Sequence, residues 1–559
     1  MRSWKKYIPW AVILLVLVGI GYIVGPRLSP DTPLGLVNQQ QPLQTLDPLP
    51  QHPQIKVYLN QSQANTYTDP YRQIYRHGDD LEQFILDQIG SAQQSIDMAI
   101  QELNLPLIAQ ALAQKQAAGI PVRVITENTY VRPWDQIATA PAEDPELPEL
   151  SEREEVKIEE YIALIDVNRD GQLAPDEIAS RDVYQIMDNA GIPWIDDTAD
   201  GSAGSGLMHH KFILIDGQKL VTGSANFTLS DIHGDFGEDL SRGNANHMLL
   251  IASSQVAGIF SQEFDLMWGD GPGGQPDSLF GVQKPERPIQ TVQVGNATVG
   301  IHFSPASRSI PYADTSNGAI VETLRQAQHS AALALFVFTD SGIANKLHRM
   351  HHDRNVTIRG VFDPGFAYRD YSRTLDMWGV TPLGDGCLLD PNRQIWSDPI
   401  IDTIGIPQLH RTDKLHHKFG LLDAGTPQAT LITGSHNWST AANQTNDEAL
   451  LIIRDPIVTA HLDREFERLI VSARFGPSRR LSEQAQAQAT DCPNPILAGS
   501  QLINLNTASA EELTQLPGIG PVIAERIVAA RPFSSLADLD RVNGIGPSRI
   551  AAIQDRVEW

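Results

Sequence analysis

Cysteine is nearly absent from this chain: its 559 residues contain two, Cys387 and Cys492. Neither lies just after the apolar stretch near the N-terminus, so anchoring through a lipid-modified cysteine is excluded. The two are far apart in sequence. In an exported chain they either pair, tying the linker after Arg474 to the segment before it, or remain free thiols. Positive charge is the second shortage. Lys and Arg number 42 against 67 Asp and Glu, a formal net charge of −25, which is poor for binding nucleic acid and equally poor for anionic lipid. The deficit is concentrated, since Glu143 to Glu177 holds 13 acidic and 3 basic residues and supplies −10 of that total.

The N-terminus reads as a membrane segment. Arg2, Lys5 and Lys6 precede seventeen nearly uninterrupted apolar residues, Ile8 to Val24, bordered by Trp4, Tyr7, Trp10 and Tyr22. That length is the lower end of what spans a bilayer, and the clustered positive charge keeps the N-terminus inside. A cleaved signal peptide is the competing reading; Gly25 to Leu28 lacks a small-residue cleavage site, which favours an uncleaved anchor. Residues 30–54, rich in Pro, Gln and Leu, read as an extended tether.

One motif occurs twice. Leu207 to Asp216 reads Leu-Met-His-His-Lys-Phe-Ile-Leu-Ile-Asp, and Leu415 to Asp423 reads Leu-His-His-Lys-Phe-Gly-Leu-Leu-Asp. Each is followed by a Gly-Ser-x-Asn turn, carrying Ser224 and Asn226 in the first copy and Ser435 and Asn437 in the second. His209 and Lys211 are two apart, as are His416 and Lys418, in runs that read as strands. Residues i and i+2 of a strand share a face, so each copy aims an imidazole and an ammonium into one cleft. Asp216-Gly217 reads as a hairpin turn into Lys219 to Thr222, and Ala424 to Gln428 as its longer counterpart. Two Lys, two Ser and two Asn around a pair of His suit the oxygens of a phosphodiester.

These residues resemble the phospholipase D superfamily, whose signature is H-x-K-x4-D followed by G-S-x-N. The resemblance implies that one His attacks phosphorus to form a covalent phospho-histidine while the other protonates the leaving oxygen and later activates water. It makes His209 the nucleophile and His416 the acid, although near-symmetry permits the reverse. The lysines, helped by Ser and Asn, are expected to stabilise the transition state, with no catalytic metal required. Asp216 and Asp423 complete the catalytic motif but are expected to fix turns rather than move protons. His210 and His417, on the opposite face, read as structural. A Glu downstream of each Gly-Ser-x-Asn is also expected, orienting a catalytic imidazole. Asn446 to Leu451 supplies Glu448, but in Ala245 to Leu250 Asn246 stands in its place. An Asn can accept from imidazole without stabilising imidazolium as a carboxylate does, so the halves are expected to be inequivalent.

The repeat reaches beyond the motif. Ile55 to Tyr58, Asp80 to Ala92 and Ser95 to Ile100 are echoed by Val299 to Phe303, Ala319 to Gln328 and Ala331 to Phe338; Val122 to Ile125 answers Ile358 to Val361. With a crossover helix at Leu107 to Ala118, these predict two α/β sandwich halves forming one active site, plus a small all-α domain. The expected organisation is an anchor or signal segment (1–29), a linker (30–54), a first half (55–270), a linker (271–295), a second half (296–475), a linker (476–500) and the small domain (501–559). Both halves lie in one chain, which implies a functional monomer.

An insertion, 143–190, interrupts the first half. Asp166 to Glu177 fits a twelve-position EF-hand loop: Asp166, Asn168 and Asp170 are oxygen ligands at positions 1, 3 and 5, Gly171 is at 6, Gln172 offers its carbonyl at 7, and Glu177 is at 12. Calcium is the expected ion, with helices at Ser151 to Leu164 and Asp176 to Asn189. The alternative is a solvated acidic loop.

At the C-terminus, Ile503 to Leu513, Leu516 to Gly520 and Val542 to Gly546 resemble the paired helix-hairpin-helix module of bacterial competence DNA receptors. Its glycines, Gly518, Gly520, Gly544 and Gly546, are expected to expose N–H groups to a DNA phosphate. The module has five Arg, no Lys and seven acidic residues, a weak footprint for DNA. Three readings follow: a membrane-tethered, extracytoplasmic phosphodiesterase acting on DNA, secreted if the segment is cleaved; the same chemistry on phospholipid, including phosphatidyl transfer; and a non-catalytic DNA-capture protein.

Overall fold

The computed structural model describes residues 45–139, 152–202, 204–354, 356–394, 396–492, 496–497 and most of 503–558. The apolar stretch Ile8 to Val24, most of the tether and residues 140–151, which include the start of the insertion, lie outside these. Among the described residues no helix is long and apolar enough to cross a membrane.

Two mixed sheets carry the repeat. The first runs Ile55–Leu59, His247–Ala252, Lys219–Gly223, Lys211–Ile215, Ile96–Ile100, Val122–Thr126, Trp194–Asp196. The second repeats this order as Ala297–Ser304, Glu448–Arg454, Thr430–Gly434, Lys418–Leu422, Ser330–Leu335, Thr357–Phe362, Ile404–Ile406, with Gln290–Val294 and Arg474–Phe475 added at its edges. In each, the crossover pair is parallel (Ile96 beside Val122, Ser330 beside Thr357) and the motif strand joins it antiparallel. Both motif strands are buried along their whole length, as strands covered on both faces must be, and their runs of Phe, Ile and Leu meet that demand.

The halves share one core. Val57, Phe212 and Leu249 of the first sheet, Val299, Phe419 and Leu451 of the second, and the helices Ser254–Trp268 and Pro456–Val471 belong to a single buried apolar cluster. Phe260 of one half meets Phe303 of the other edge to face, ring centroids 5.0 Å apart. Full burial of such a side chain contributes about 1.5–3 kcal/mol, so this layer joins the halves firmly. The second of these helices begins at Pro456, where the missing N–H costs nothing, and Asp455 accepts from Ile457 and Val458 N–H.

The expected helix Asp176 to Asn189 is corrected to two, Pro175–Arg181 and Val183–Asn189. The break falls at Asp182, whose extended backbone (ψ 124°) ends one helix while its carboxylate caps the next through Gln185 N–H. Cys387 and Cys492 are bonded, their Cα atoms 5.4 Å apart. The pair joins the second half to the end of the helix Arg479–Asp491. The C-terminal module has its own core of Leu505, Leu513, Ile527, Leu539 and Ile553.

Candidate active site

Each motif histidine is held by the backbone of the opposite half. Met208 bridges Asp447 and Ala245 bridges Leu415; His209 N–H donates to Asp447 O at 2.9 Å, and His416 N–H to Ala245 O at 3.1 Å. The regular motif strands begin only at Lys211 and Lys418, so the histidines sit in the extended segments just before them. Lys211 Nζ donates to Gln101 Oε1 (2.9 Å) and His209 O (3.1 Å). Lys418 Nζ donates to His416 O (2.7 Å) and stands 5.1 Å from the Phe336 ring centre, and that ring packs 4.7 Å from His416. Gln101 and Phe336 are counterparts, their N–H groups donating to His210 O and His417 O.

Second-layer groups fix the imidazoles. His209 Nδ1 lies 2.6 Å from Glu448 Oε2, and His416 Nδ1 lies 3.0 Å from Asn246 Oδ1. Ser224 N–H donates to His247 O and Ser435 N–H to Ala449 O, which makes Asn246 and Glu448 equivalent positions. The expected inequivalence is therefore present in the geometry. With Nδ1 donating, the Nε2 of each ring is the free atom. Ser224 Oγ is committed to Asn246 Oδ1 at 2.7 Å, and the two serine hydroxyls accept from the N–H after each of these groups, Ser224 from His247 at 3.1 Å and Ser435 from Ala449 at 3.0 Å. Asn226 and Asn437, about nine-tenths buried, each keep a side-chain oxygen without a partner.

Burial governs the charges. It holds His209 and His416 well below the usual imidazole range, with Lys211 and Lys418 adding to it. It pulls Lys211 down to about 8 against the attraction of Glu448 and Asp231. Lys418 falls well below its usual value through burial and then Lys211, while burial pushes Glu448 up to about 8. The free site is therefore short of positive charge, and an entering anion raises the proton affinity of every one of these bases.

Asp216 and Asp423 stand at the far ends of their strands with left-handed backbones, φ 56° and 50°. Asp216 accepts from Gln93, Gln94 and Ser95 N–H, and Asp423 from Gln328, His329 and Ser330 N–H. Burial opposes their charge, but these bonds outweigh it and hold both below the usual carboxylate range. They pin the entry to the neighbouring strand. His210 and His417 each lie 3.0 Å from a buried carboxylate, Glu263 and Glu465, on the face away from the cleft.

Sequence reasoning missed several participants. Gln101 holds Lys211, and His247 stacks on His417 with their Nδ1 atoms 3.0 Å apart. Asp231 Oδ2 lies 3.6 Å from His416 Nδ1. Glu160, on the inserted helix Glu152–Ile165, accepts from Ser230 N–H beside Asp231, and Lys157 of that helix pairs with Glu102 beside Gln101. None belongs to a recognisable spacing.

The residues expected to bind calcium, in 166–177, lie outside the cleft. Asp166 accepts from Asp170 and Gly171 N–H, Asn168 from Asp170 N–H, Asp170 from Gln172 N–H, and Glu177 from Val167, Asn168 and Ala174 N–H. The all-oxygen donor set suits a hard cation, but its side chains rest on the loop's own amides. Among the described residues no group of three or more His, Cys, Asp or Glu converges as a metal site. In the C-terminal module Gly518 and Gly544 take left-handed φ of 74° and 100°. Gly520 caps the helix Pro521–Ala529, and neither it nor Gly546 has a neighbour within 4 Å of an added Cβ.

Paired histidines and lysines at the seam of two repeated halves make up the site of a phosphodiesterase. Residues 85–268 and 320–470 match the family described as cardiolipin synthase, PLD-like domain, and the chain belongs to that family, within the phospholipase D superfamily. Residues 499–558 match the helix-hairpin-helix motif. The mitochondrial cardiolipin hydrolase of Canis lupus familiaris is 25% identical over 210 residues, 37% of this chain and 70% of its own length. The Xenopus tropicalis and Mus musculus proteins of that name are spanned over 63% and 61% of theirs. A deoxyribonuclease of Thioalkalivibrio sp. (strain K90mix) is 46% identical over 56 residues, 10% of this chain and 16% of its own. Among solved structures, phosphatidylserine synthase of Haemophilus influenzae Rd KW20 aligns at 11% identity and a TM-score of 0.45, covering 80% of this chain and 94% of the other.

Proposed function

We propose that this chain hydrolyses phosphodiester bonds in DNA through a covalent phospho-histidine. His209 Nε2 attacks phosphorus, forming N–P as the bond to the leaving oxygen breaks, and His416 gives its Nε2 proton to that oxygen. His416 then takes a proton from water, whose oxygen forms the new P–O bond as N–P breaks. Glu448 at 2.6 Å from His209 Nδ1 favours that ring as the one carrying phosphorus, because the positive charge that phosphorylation places on the ring draws Glu448 into its carboxylate form, which then stabilises the phospho-imidazolium. Lys211 and Lys418 meet the charge that grows on the non-bridging oxygens. No step passes through a metal. Calcium is proposed only at the loop 166–177, where Asp166, Asn168, Asp170 and Glu177 would supply oxygens to it.

The observation that carries DNA as substrate is the C-terminal helix-hairpin-helix match, whose hairpin N–H groups suit phosphates without reading sequence. The short likeness to a protein named deoxyribonuclease agrees with it. Phospholipid is the second reading, favoured by the family description and by relatives named cardiolipin hydrolase. An extracytoplasmic setting, anchored by Ile8 to Val24, is supported by the Cys387–Cys492 bond. The test presents full-length protein with single-stranded DNA, duplex DNA and cardiolipin vesicles. Gly520→Glu and Gly546→Glu, which the open space accommodates, should raise KM for DNA and leave small-substrate turnover unchanged. Lipid cleavage without DNA cleavage refutes the DNA reading.

A further inference from the structure

The internal repeat allows the two imidazoles to be compared position by position. Thr228 and Ser439 both cap the short helix after Gly-Ser-x-Asn, accepting from Asp231 N–H and Ala442 N–H respectively. Asp231 and Ala442 are therefore equivalent, as are Asn246 and Glu448. The first half holds Asp231 with Asn246, and the second holds Ala442 with Glu448. Each half has one carboxylate at its seam, but at different places in the repeat.

The orientation of Asn246 explains why one is needed. Its Nδ2 donates to the carbonyls of Asp231 (3.1 Å) and Asn244 (3.2 Å), which leaves Oδ1 for His416 Nδ1 and Ser224 Oγ. The amide thus fixes the tautomer and supplies no charge. Asp231 is 3% exposed. It accepts from Asn226 N–H (2.7 Å) and from the Asn244 amide, and turns Oδ2 toward His416 Nδ1 at 3.6 Å. Lys418, Lys211, His209 and Lys414 all oppose protonation of His416; Phe336 closes another side, Asp363 accepts from Leu415 N–H just before the ring, and Asp231 also attracts Lys211 and Lys418. Asp231 is the carboxylate within 4 Å of His416 Nδ1 among the described residues.

We propose that Asp231 is the positioning residue for His416, providing the negative charge that Glu448 provides for His209. It stabilises the imidazolium that must exist when His416 donates its proton to the leaving oxygen, and Asn246 sets the ring's direction. The proposal rests on the phosphodiesterase reading of the site.

The test uses full-length protein and bis-p-nitrophenyl phosphate, with kcat and KM followed against pH. Asp231→Asn, nearly isosteric, should lower kcat by roughly 10²-fold, the scale of a general acid's contribution, with KM changed less than about threefold. Removing the carboxylate lowers His416's proton affinity, so the alkaline limb of kcat should move to lower pH by about one unit. The double substitution Asp231→Ala with Asn246→Glu copies the second half's arrangement and should recover at least tenfold over Asp231→Ala alone. Asp231→Asn turnover within threefold of wild type overturns the proposal. So does a loss with an unmoved pH limb and no recovery in the double variant, which marks a structural role. Absence of any His209-dependent cleavage by wild type is a different result: it removes the phosphodiesterase reading itself.

Discussion

Lys211→Met tests how much stability the site gives up for its chemistry. Lys211 is 1% exposed, and its pKa falls from 10.5 to about 8, chiefly through burial. Each unit is worth about 1.4 kcal/mol, so at pH 7 the buried ammonium costs the folded state about 3 kcal/mol. Met fills similar space without charge, but leaves Gln101 Oε1 unpaired, which returns about 1–3 kcal/mol of that gain. The pH dependence separates the two contributions. Between pH 8 and 10.5 the unfolded wild-type chain binds more protons than the folded one, so its stability rises with pH, whereas that of the variant lacks this slope. The variant's advantage should therefore shrink by roughly 2–3 kcal/mol from pH 7 to pH 10, whatever the fixed loss at Gln101. Urea unfolding of both proteins at the two pH values measures it, and turnover of the variant should fall by roughly 10²–10³-fold. Parallel stabilities at both pH values would refute the claim that Lys211 is held against its charge.

Other expectations concern the same groups. Binding of inorganic vanadate near pH 8 should take up protons, because the anion raises the pKa of Lys211 and Lys418 from their depressed values; calorimetry in buffers of different ionisation enthalpy reads the number, and proton release would contradict it. Asp423→Ala removes the acceptor for Gln328, His329 and Ser330 N–H and should cost about 1–3 kcal/mol in unfolding free energy while kcat at low temperature stays within about threefold; a collapse of kcat in the folded variant would make Asp423 a participant in chemistry. Millimolar calcium should raise the Tm of wild type and leave that of Glu177→Gln unchanged, with turnover insensitive to chelator; an equal response of both proteins would rule out the loop as the site.

The parts of the site legible in sequence were those fixed by short-range pattern. The i, i+2 spacing of His209 with Lys211 and of His416 with Lys418, the buried strands behind them and the hairpin at Asp216-Gly217 all follow from local periodicity and turn chemistry. The strand starts were less legible: regular pairing begins at the lysines, because the histidines pair instead with the other half. The helix after the acidic loop reads as continuous in sequence because nothing in its apolar pattern marks Asp182 as a cap. Asn246 was visible as a departure, but its compensation was not. Asp231 lies in a turn with no motif of its own, and its meaning appears only when Ala442 is seen to occupy the same place in the second half. Gln101 and Phe336 were hidden for the same reason, as unlike residues at equivalent strand ends.

The central claim is that the phosphoryl group passes through a covalent bond to His209. Rapid quench of full-length protein with ³²P-labelled substrate, followed by peptide mapping, measures it most directly. We expect an acid-labile, base-stable label on the peptide containing His209, abolished by His209→Ala and accumulating in Glu448-intact protein when His416 is replaced by Ala. Full turnover with no label, or label confined to the His416 peptide, would contradict it.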